Sequence, residues 1–316
     1  MPVSYPCTPY NTPDLRYWPC RRNLRKGSDA STPQVAKESA PSPAPIKADQ
    51  TSSSPPFIVL TNPYLILPNG QLSPNTSLCI DKDTGLLTAL PPQAVEKGLV
   101  KEIDLGGKWV SPGMIDIQVN GSWSCSFSSS DKDQEFYEQN VKKVSAKLCK
   151  LGVTSHNNGE VQTPWFLING YTLHQIPLAA KLAYEAHPTC CVLASGAPHL
   201  VKPPSKSHFL SNEEKFKRRE TRVGGLYLEG TGIWIGWVTW LLEAVFQLSS
   251  IAHISVPQAI VCATYNPANM LGGEVKQKVG FRPGCWADLV IWDPKGQGRQ
   301  GIKGVWKGGK EVWYEA

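Results

Sequence analysis

The sequence has no Cys-x-x-Cys pair, no phosphate-cradling glycine-rich loop and no two histidines spaced i,i+2 or i,i+4 within one element. The cysteines number nine, an odd count, and only Cys190 and Cys191 lie close together. Adjacent cysteines rarely bridge each other, so the thiols read as free and the compartment as reducing. The histidines (156, 174, 187, 199, 208 and 253) show no local metal-binding spacing. Charged residues are only 18% of the chain, far too few for a solvated disordered protein. The length of 316 residues with 27 Gly and 27 Pro excludes collagen, a coiled coil and a disulfide-stapled miniprotein. A net charge of +6 is too mild to argue for nucleic acid. Met1–Tyr10 carries three prolines and no apolar core of a secretory signal, so the expectation is a cytoplasmic protein.

What is present divides by composition. Residues 1–56 hold 11 Pro and 8 Ser with no apolar period, which predicts a disordered leader. From Phe57 onward short strands recur about every ten residues, at 57–61, 64–67, 77–80, 86–89, 101–105 and 108–110, with Pro68-Asn69-Gly70 as a hairpin turn. The tail has the same character, with strands at 287–292, 301–306 and 310–313. Between them lie helical signals: an amphipathic helix over Asp133–Leu151 ended by Gly152, and two more over Pro177–Ala186 and Pro257–Leu271. The expected architecture is a β-sandwich built from 57–110 plus 285–316, with an α/β body at 111–284.

Two stretches suggest other functions and are read against them. Gly232–Val256 is apolar, but Glu243, Gln247 and His253 interrupt it and no Lys or Arg cluster flanks it. It reads as a buried helix, not a membrane span. Lys215–Arg219 is a short basic run neutralised by Glu213, Glu214 and Glu220, and reads as a solvated helix face. Neither nucleic acid nor membrane is an expected partner.

The run Gly107-Lys-Trp-Val-Ser-Pro-Gly-Met-Ile-Asp-Ile-Gln-Val-Asn-Gly121 resembles the entry to the barrel of metal-dependent amidohydrolases. Gln118 and Asn120 stand where most of that superfamily carries His-x-His, which resembles one branch, the N-acetylglucosamine-6-phosphate deacetylases. Leu151–Ser155 resembles the second barrel strand. Leu182–Pro188 and Leu226–Thr231 resemble late-barrel segments of the fungal enzymes. Ala263–Ala268 resembles the last barrel helix, and Gly280–Ile291 the return strand of the β-domain. The resemblance implies a (β/α)8 barrel of the TIM type with a small β-sandwich. It also implies hydrolysis of N-acetyl-D-glucosamine 6-phosphate to D-glucosamine 6-phosphate and acetate in amino-sugar catabolism. A divalent, zinc-like ion would activate the water, an Asp would act as general base, and the enzyme would be a homodimer.

The chain departs from that pattern where the chemistry sits. The family's His-Leu-Glu-Gly-Pro-Phe motif is absent, and Leu228-Glu229-Gly230-Thr231 matches a later segment. The strands that should carry two metal-binding His have no room between Ile176 and Lys181. The Thr-Asp-Ala triplet of the general base is replaced by Ala194-Ser195-Gly196-Ala197, with Gly196 at the Asp position. Residues 111–284 number 174, where a full barrel needs roughly 250 and at least about 200. The expectation is therefore an incomplete barrel, from a truncated paralogue or from skipped exons, without catalysis. No catalytic residue is retained. The substrate-binding candidates are Gln118, Asn120, Gly121, Glu229 and Thr231. His156, after the second barrel strand, is the one metal-ligand candidate. Period 2 places Gln118 and Asn120 on one strand face, pointing into the barrel.

Overall fold

The structure is a computed structural model that describes residues 55–74, 77–119, 121–123, 125–126, 134–156, 165–196, 216–218, 225–228, 234–237 and 239–315. The predicted leader lies outside the described residues, apart from Pro55 and Pro56.

The N-terminal part is a run of short strands: β1 (Phe57–Thr61), β2 (Tyr64–Ile66), β3 (Leu72–Ser73), β4 (Leu78–Asp81) and β5 (Leu86–Thr88). The one-turn helix α1 (Pro92–Glu96) follows, then β6 (Val100–Asp104) and β7 (Trp109–Pro112). Gly70 closes the β2–β3 hairpin with φ +74°, a conformation that costs glycine nothing. The α/β body follows with β8 (Met114–Asp116), the small ribbon β9 (Gly121–Ser122) and β10 (Cys125–Ser126), α2 (Gln134–Cys149) and β11 (Val153–His156). It continues through β12 (Phe166–Ile168), α3 (Gly170–Gln175), α4 (Pro177–Ala186) and β13 (Cys191–Leu193). Next come β14 (Phe216–Arg218), β15 (Gly225–Leu228) and β16 (Trp234–Trp237), then α5 (Leu241–Ala252), α6 (Val256–Val261), α7 (Tyr265–Leu271) and α8 (Gly273–Lys278). The chain finishes with β17 (Leu289–Trp292), a 3-10 turn at Gly298–Gly301, β18 (Ile302–Lys307) and β19 (Lys310–Tyr314).

Two sheets form a sandwich. One has the order β5-β4-β1-β6, the other β19-β18-β17-β7-β2-β3, so strands from both ends of the sequence share one sheet. All four residues of β17 are buried, because its sheet is covered on both faces. Leu289 and Ile291 pack with Ile58, Leu60 and Ile80 of the facing sheet. Val290 and Trp292 pack on the other side with the α/β body. This is the period of two expected of a strand, with apolar residues on both phases.

In the body, β11 pairs with β8 and β12 with β13, both in parallel. Among the described residues these are two separate pairs, and no closed barrel forms. The pairs are joined by a break in the predicted helix over Pro257–Leu271. Pro267 has no N–H for the carbonyl of Ala263. The helix ends at Val261, turns through Thr264 (φ −129°) and restarts at Tyr265. The released carbonyls are used: Ala263 O accepts from the Ile115 N–H of β8 (2.8 Å), and Cys262 O from the Leu193 N–H of β13 (2.8 Å). Ile115, Ile117, Val192 and Ala194 then pack under Ala268 and Val275 of α7 and α8. Tyr265 ties this region to the sandwich by donating its hydroxyl to Ile66 O (3.0 Å).

Two expectations are corrected. The apolar stretch 232–256 is not one helix. Its helical part is α5, twelve residues, preceded by strand β16, and no helix among the described residues is long and apolar enough to cross a membrane. The basic run at Lys215–Arg219 is not a helix face, since Phe216–Arg218 is strand β14. Strands β14, β15 and β16 form an antiparallel ribbon. In each case a short polar or apolar run carried too little periodicity to separate strand from helix.

Candidate functional site

The site is built at the carboxyl ends of β8, β12 and β13, where parallel strands leave room for a ligand. Ile115 and Ile117 face the α7–α8 core, which puts Asp116 and Gln118 on the opposite side of the chain. Asn169 follows β12 and caps α3, accepting from Thr172 N–H (3.3 Å) and facing the Thr172 hydroxyl (3.4 Å). Its Nδ2 donates across the strand ends to Gln118 Oε1 (3.4 Å). Ser195 and Gly196 follow β13. Gly196 has φ +58°, and a β-carbon there would stand 3.5 Å from Gln118 Oε1 and 3.7 Å from Asn169 Cβ. The structure thus brings together Gln118 and Gly196, both singled out in the sequence, and adds Asn169.

Asp116 lies beneath them and is fully buried. Its Oδ1 accepts from the backbone N–H of Ser195 (3.1 Å) and of Gln118 (3.2 Å), so one carboxylate clasps the ends of β8 and β13. Its Oδ2 is buried without a hydrogen-bond partner among the described residues. Burial pushes the carboxyl up to about 6, against the pull of the Ser195 hydroxyl and of the Ser195 and Gln118 N–H groups. Asp116 was legible in the sequence only as the residue two before Gln118, on the same strand face.

The other candidates fall elsewhere. His156 does not enter this cluster: its Nε2 hydrogen-bonds Ser145 Oγ of α2 (2.7 Å), while that hydroxyl donates to Val141 O (2.7 Å). One hydroxyl has one hydrogen, so His156 is the donor and Ser145 is not an activated nucleophile. Burial and the positive charge of Lys307 both lower the imidazole's affinity for a proton. Asn120, Glu229 and Thr231 lie outside the described residues, and Gly121 is placed in β9, paired with Ser126. Among the described residues, no group of three His, Cys, Asp or Glu side chains could hold a metal ion. The cluster offers one carboxylate and two carboxamides, a donor set unsuited to zinc, which takes four ligands drawn from His, Cys, Asp and Glu in closed sites.

The Asp116 carboxyl sets a pH dependence. Folding raises its affinity for a proton, so the stabilisation it brings is complete below about pH 4 and is lost as the pH rises through about 6. Asp116→Asn keeps the Oδ1 acceptor and removes the buried charge. At pH 8 the variant is expected to be more stable than the wild type by up to about 3 kcal/mol, with no such gain at pH 4. Urea unfolding at the two pH values measures both. A loss of stability at pH 8 would show that the ionised form is wanted there.

The architecture, parallel strand and helix units beside a sandwich drawn from both ends of the sequence, is similar to that of solved N-acetylglucosamine-6-phosphate deacetylases. The Thermotoga maritima deacetylase superposes with a TM-score of 0.56 at 11% identity, over 81% of this chain and 100% of that one. The Pasteurella multocida enzyme gives 0.57 at 13% identity, over 81% and 99%. A Mycobacterium smegmatis mutant solved in complex with N-acetyl-D-glucosamine-6-phosphate gives 0.52 at 12%, over 81% and 98%. In sequence, the chain is 39% identical over 54 residues to the Caenorhabditis elegans deacetylase, which is 17% of this chain and 13% of the relative. It is 28% identical over 143 residues to the Bos taurus deacetylase, 45% of this chain and 32% of the relative. The matches thus span under a third of these two curated relatives. No family model matches the chain.

Proposed function

We propose that this chain derives from enzymes that hydrolyse N-acetyl-D-glucosamine 6-phosphate to D-glucosamine 6-phosphate and acetate in cytoplasmic amino-sugar catabolism, and that as written it does not catalyse that reaction. The domain plan that goes with this reading is a split sandwich, 57–110 plus 285–316, around a partial barrel at 111–284. The carrying observation is Gly196. It follows β13 at the mouth, against Gln118 and Asn169, at the position where the resemblance requires the general-base Asp. The described donor set does not fit a zinc-like ion, so no step is assigned to one.

The test is direct. The full chain is incubated with N-acetyl-D-glucosamine 6-phosphate and excess Zn2+ or Co2+, and release of glucosamine 6-phosphate is followed. The expected rate equals that of buffer with metal alone. Metal-dependent release above that rate would overturn the reading.

A second reading, a ligand-holding protein without catalysis, is favoured by the Gln118–Asn169 pair. Gln118 accepts from Asn169 through its Oε1, and its amide Nε2 is a group that donates to a carbonyl or hydroxyl such as those of an amino-sugar phosphate.

A further inference from the structure

The dipeptide Asn-Gly occurs four times, at Asn69, Asn120, Asn158 and Asn169. An asparagine before glycine can close on itself. The glycine nitrogen attacks the side-chain carbonyl, and no side chain on the glycine stands in the way. Asn120 and Asn158 lie outside the described residues. The other two dipeptides differ in their reacting atoms. At Asn69 the nucleophile is occupied: the Gly70 N–H donates to Leu67 O (2.8 Å) and closes the β2–β3 turn. Gly70 also fits tightly, since an added β-carbon would stand 2.6 Å from Gln258 Cγ. The Asn69 Oδ1 accepts from one donor, the Gln71 N–H (3.0 Å).

At Asn169 the Gly170 N–H opens α3, where no helical carbonyl precedes it, and it has no acceptor among the described residues. The electrophile is polarised as well. Asn169 Oδ1 accepts from both the Thr172 N–H (3.3 Å) and the Thr172 hydroxyl (3.4 Å). Those two donors meet the atom on which negative charge builds as the nitrogen adds. Asn169 is half-buried at the mouth, so water reaches it.

We propose that Asn169 is a site of spontaneous deamidation in the folded chain, and that Asn69 is protected. The Gly170 nitrogen bonds to Asn169 Cγ and gives its proton to solvent, the Cγ–Nδ2 bond breaks, and ammonia leaves. Water then opens the cyclic imide at one carbonyl to give aspartate, or at the other to give isoaspartate. No oxidant or cofactor enters. The aspartate product keeps the acceptor for Thr172 but loses the donor to Gln118 Oε1, so Gln118 must turn its amide. It also sets a carboxylate beside Gly196. This inference rests on the turn into α3 and does not depend on the deacetylase reading.

The full chain is held at pH 8.5 and 37 °C for two weeks in water enriched in oxygen-18, then digested with trypsin in ordinary water. Conversion during the incubation adds about 3 Da, and conversion during digestion about 1 Da. Fragment ions separate Asn169 from Asn158, which shares the tryptic peptide 151–181; Asn69 lies in 48–82. Asn169 is expected to convert at least ten times faster than Asn69. In 8 M urea, where neither turn exists, the two rates are expected to come within about threefold of each other. An Asn169 that stays intact in the folded chain overturns the proposal, as does an Asn69 that converts equally fast. A tenfold bias that persists in urea overturns it too, because the local sequence and not the fold would then set the rates.

Discussion

Replacing Trp292 by alanine is expected to cost about 3–5 kcal/mol, a large part of the 5–15 kcal/mol that typically separates folded from unfolded domains. Trp292 is among the largest fully buried side chains. It projects from β17 into the core shared by the six-stranded sheet and the α/β body, where Val290, Ile302 and Val305 also pack. Its indole Nε1 donates to Ser111 Oγ (2.9 Å), and the Ser111 hydroxyl in turn donates to Pro112 O (2.8 Å). Truncation therefore leaves a cavity and removes a buried donor. Trp292→Phe retains most of the apolar volume and is expected to lose about half as much. Urea midpoints for the two variants measure both, and equal losses would show that the hydrogen bond and not the packing dominates.

Gly113→Ala is the second large effect, and it acts by overfilling. Gly113 links β7 of the sandwich to β8 of the body. A β-carbon there would lie 1.9 Å from Thr154 Oγ1 and 2.6 Å from Thr154 Cβ. The obstacle includes the root of a β-branched side chain on β11, so a rotamer change cannot clear it. Strands β8 and β11 must separate, at an expected cost of about 3 kcal/mol, the upper end of ordinary overpacking. The double variant Gly113→Ala with Thr154→Gly is expected to recover most of that loss in thermal melts. No recovery would place the strain in the backbone of Gly113 itself.

The sandwich was legible because its strands are punctuated by residues with a physical job. Asn62, Gly70, Gly85, Gly308 and Gly309 all adopt positive φ at turns. Helix α4 was read with the observed bounds, since Pro177 opens it at the first turn, where a missing N–H is harmless. The break at Cys262–Thr264 was missed, although Pro267 forbids the Ala263 bond, because the apolar period runs through it. Gln118 was legible from the entry motif. Asn169 was not: in sequence it is one polar residue between a short strand and a short helix. Its reach to Gln118 depends on the pairing of β12 with β13 and on how β13 lies beside β8. Asp116 shares the Gln118 face by parity, but its burial is a product of Ser195, far along the chain.

The two carbonyls at the α6–α7 break have a consequence for the order in which the protein can be made. Strands β8 and β13 are complete once Leu193 has emerged from the ribosome, yet the acceptors for Ile115 and Leu193 are Ala263 and Cys262. At about 5–20 residues per second, the nascent chain waits several seconds with both strands made and these two N–H groups without their final acceptors. The body is therefore finished from its C-terminal side. The same stretch of synthesis that delivers the joining turn also delivers Tyr265, which anchors to Ile66 of β2.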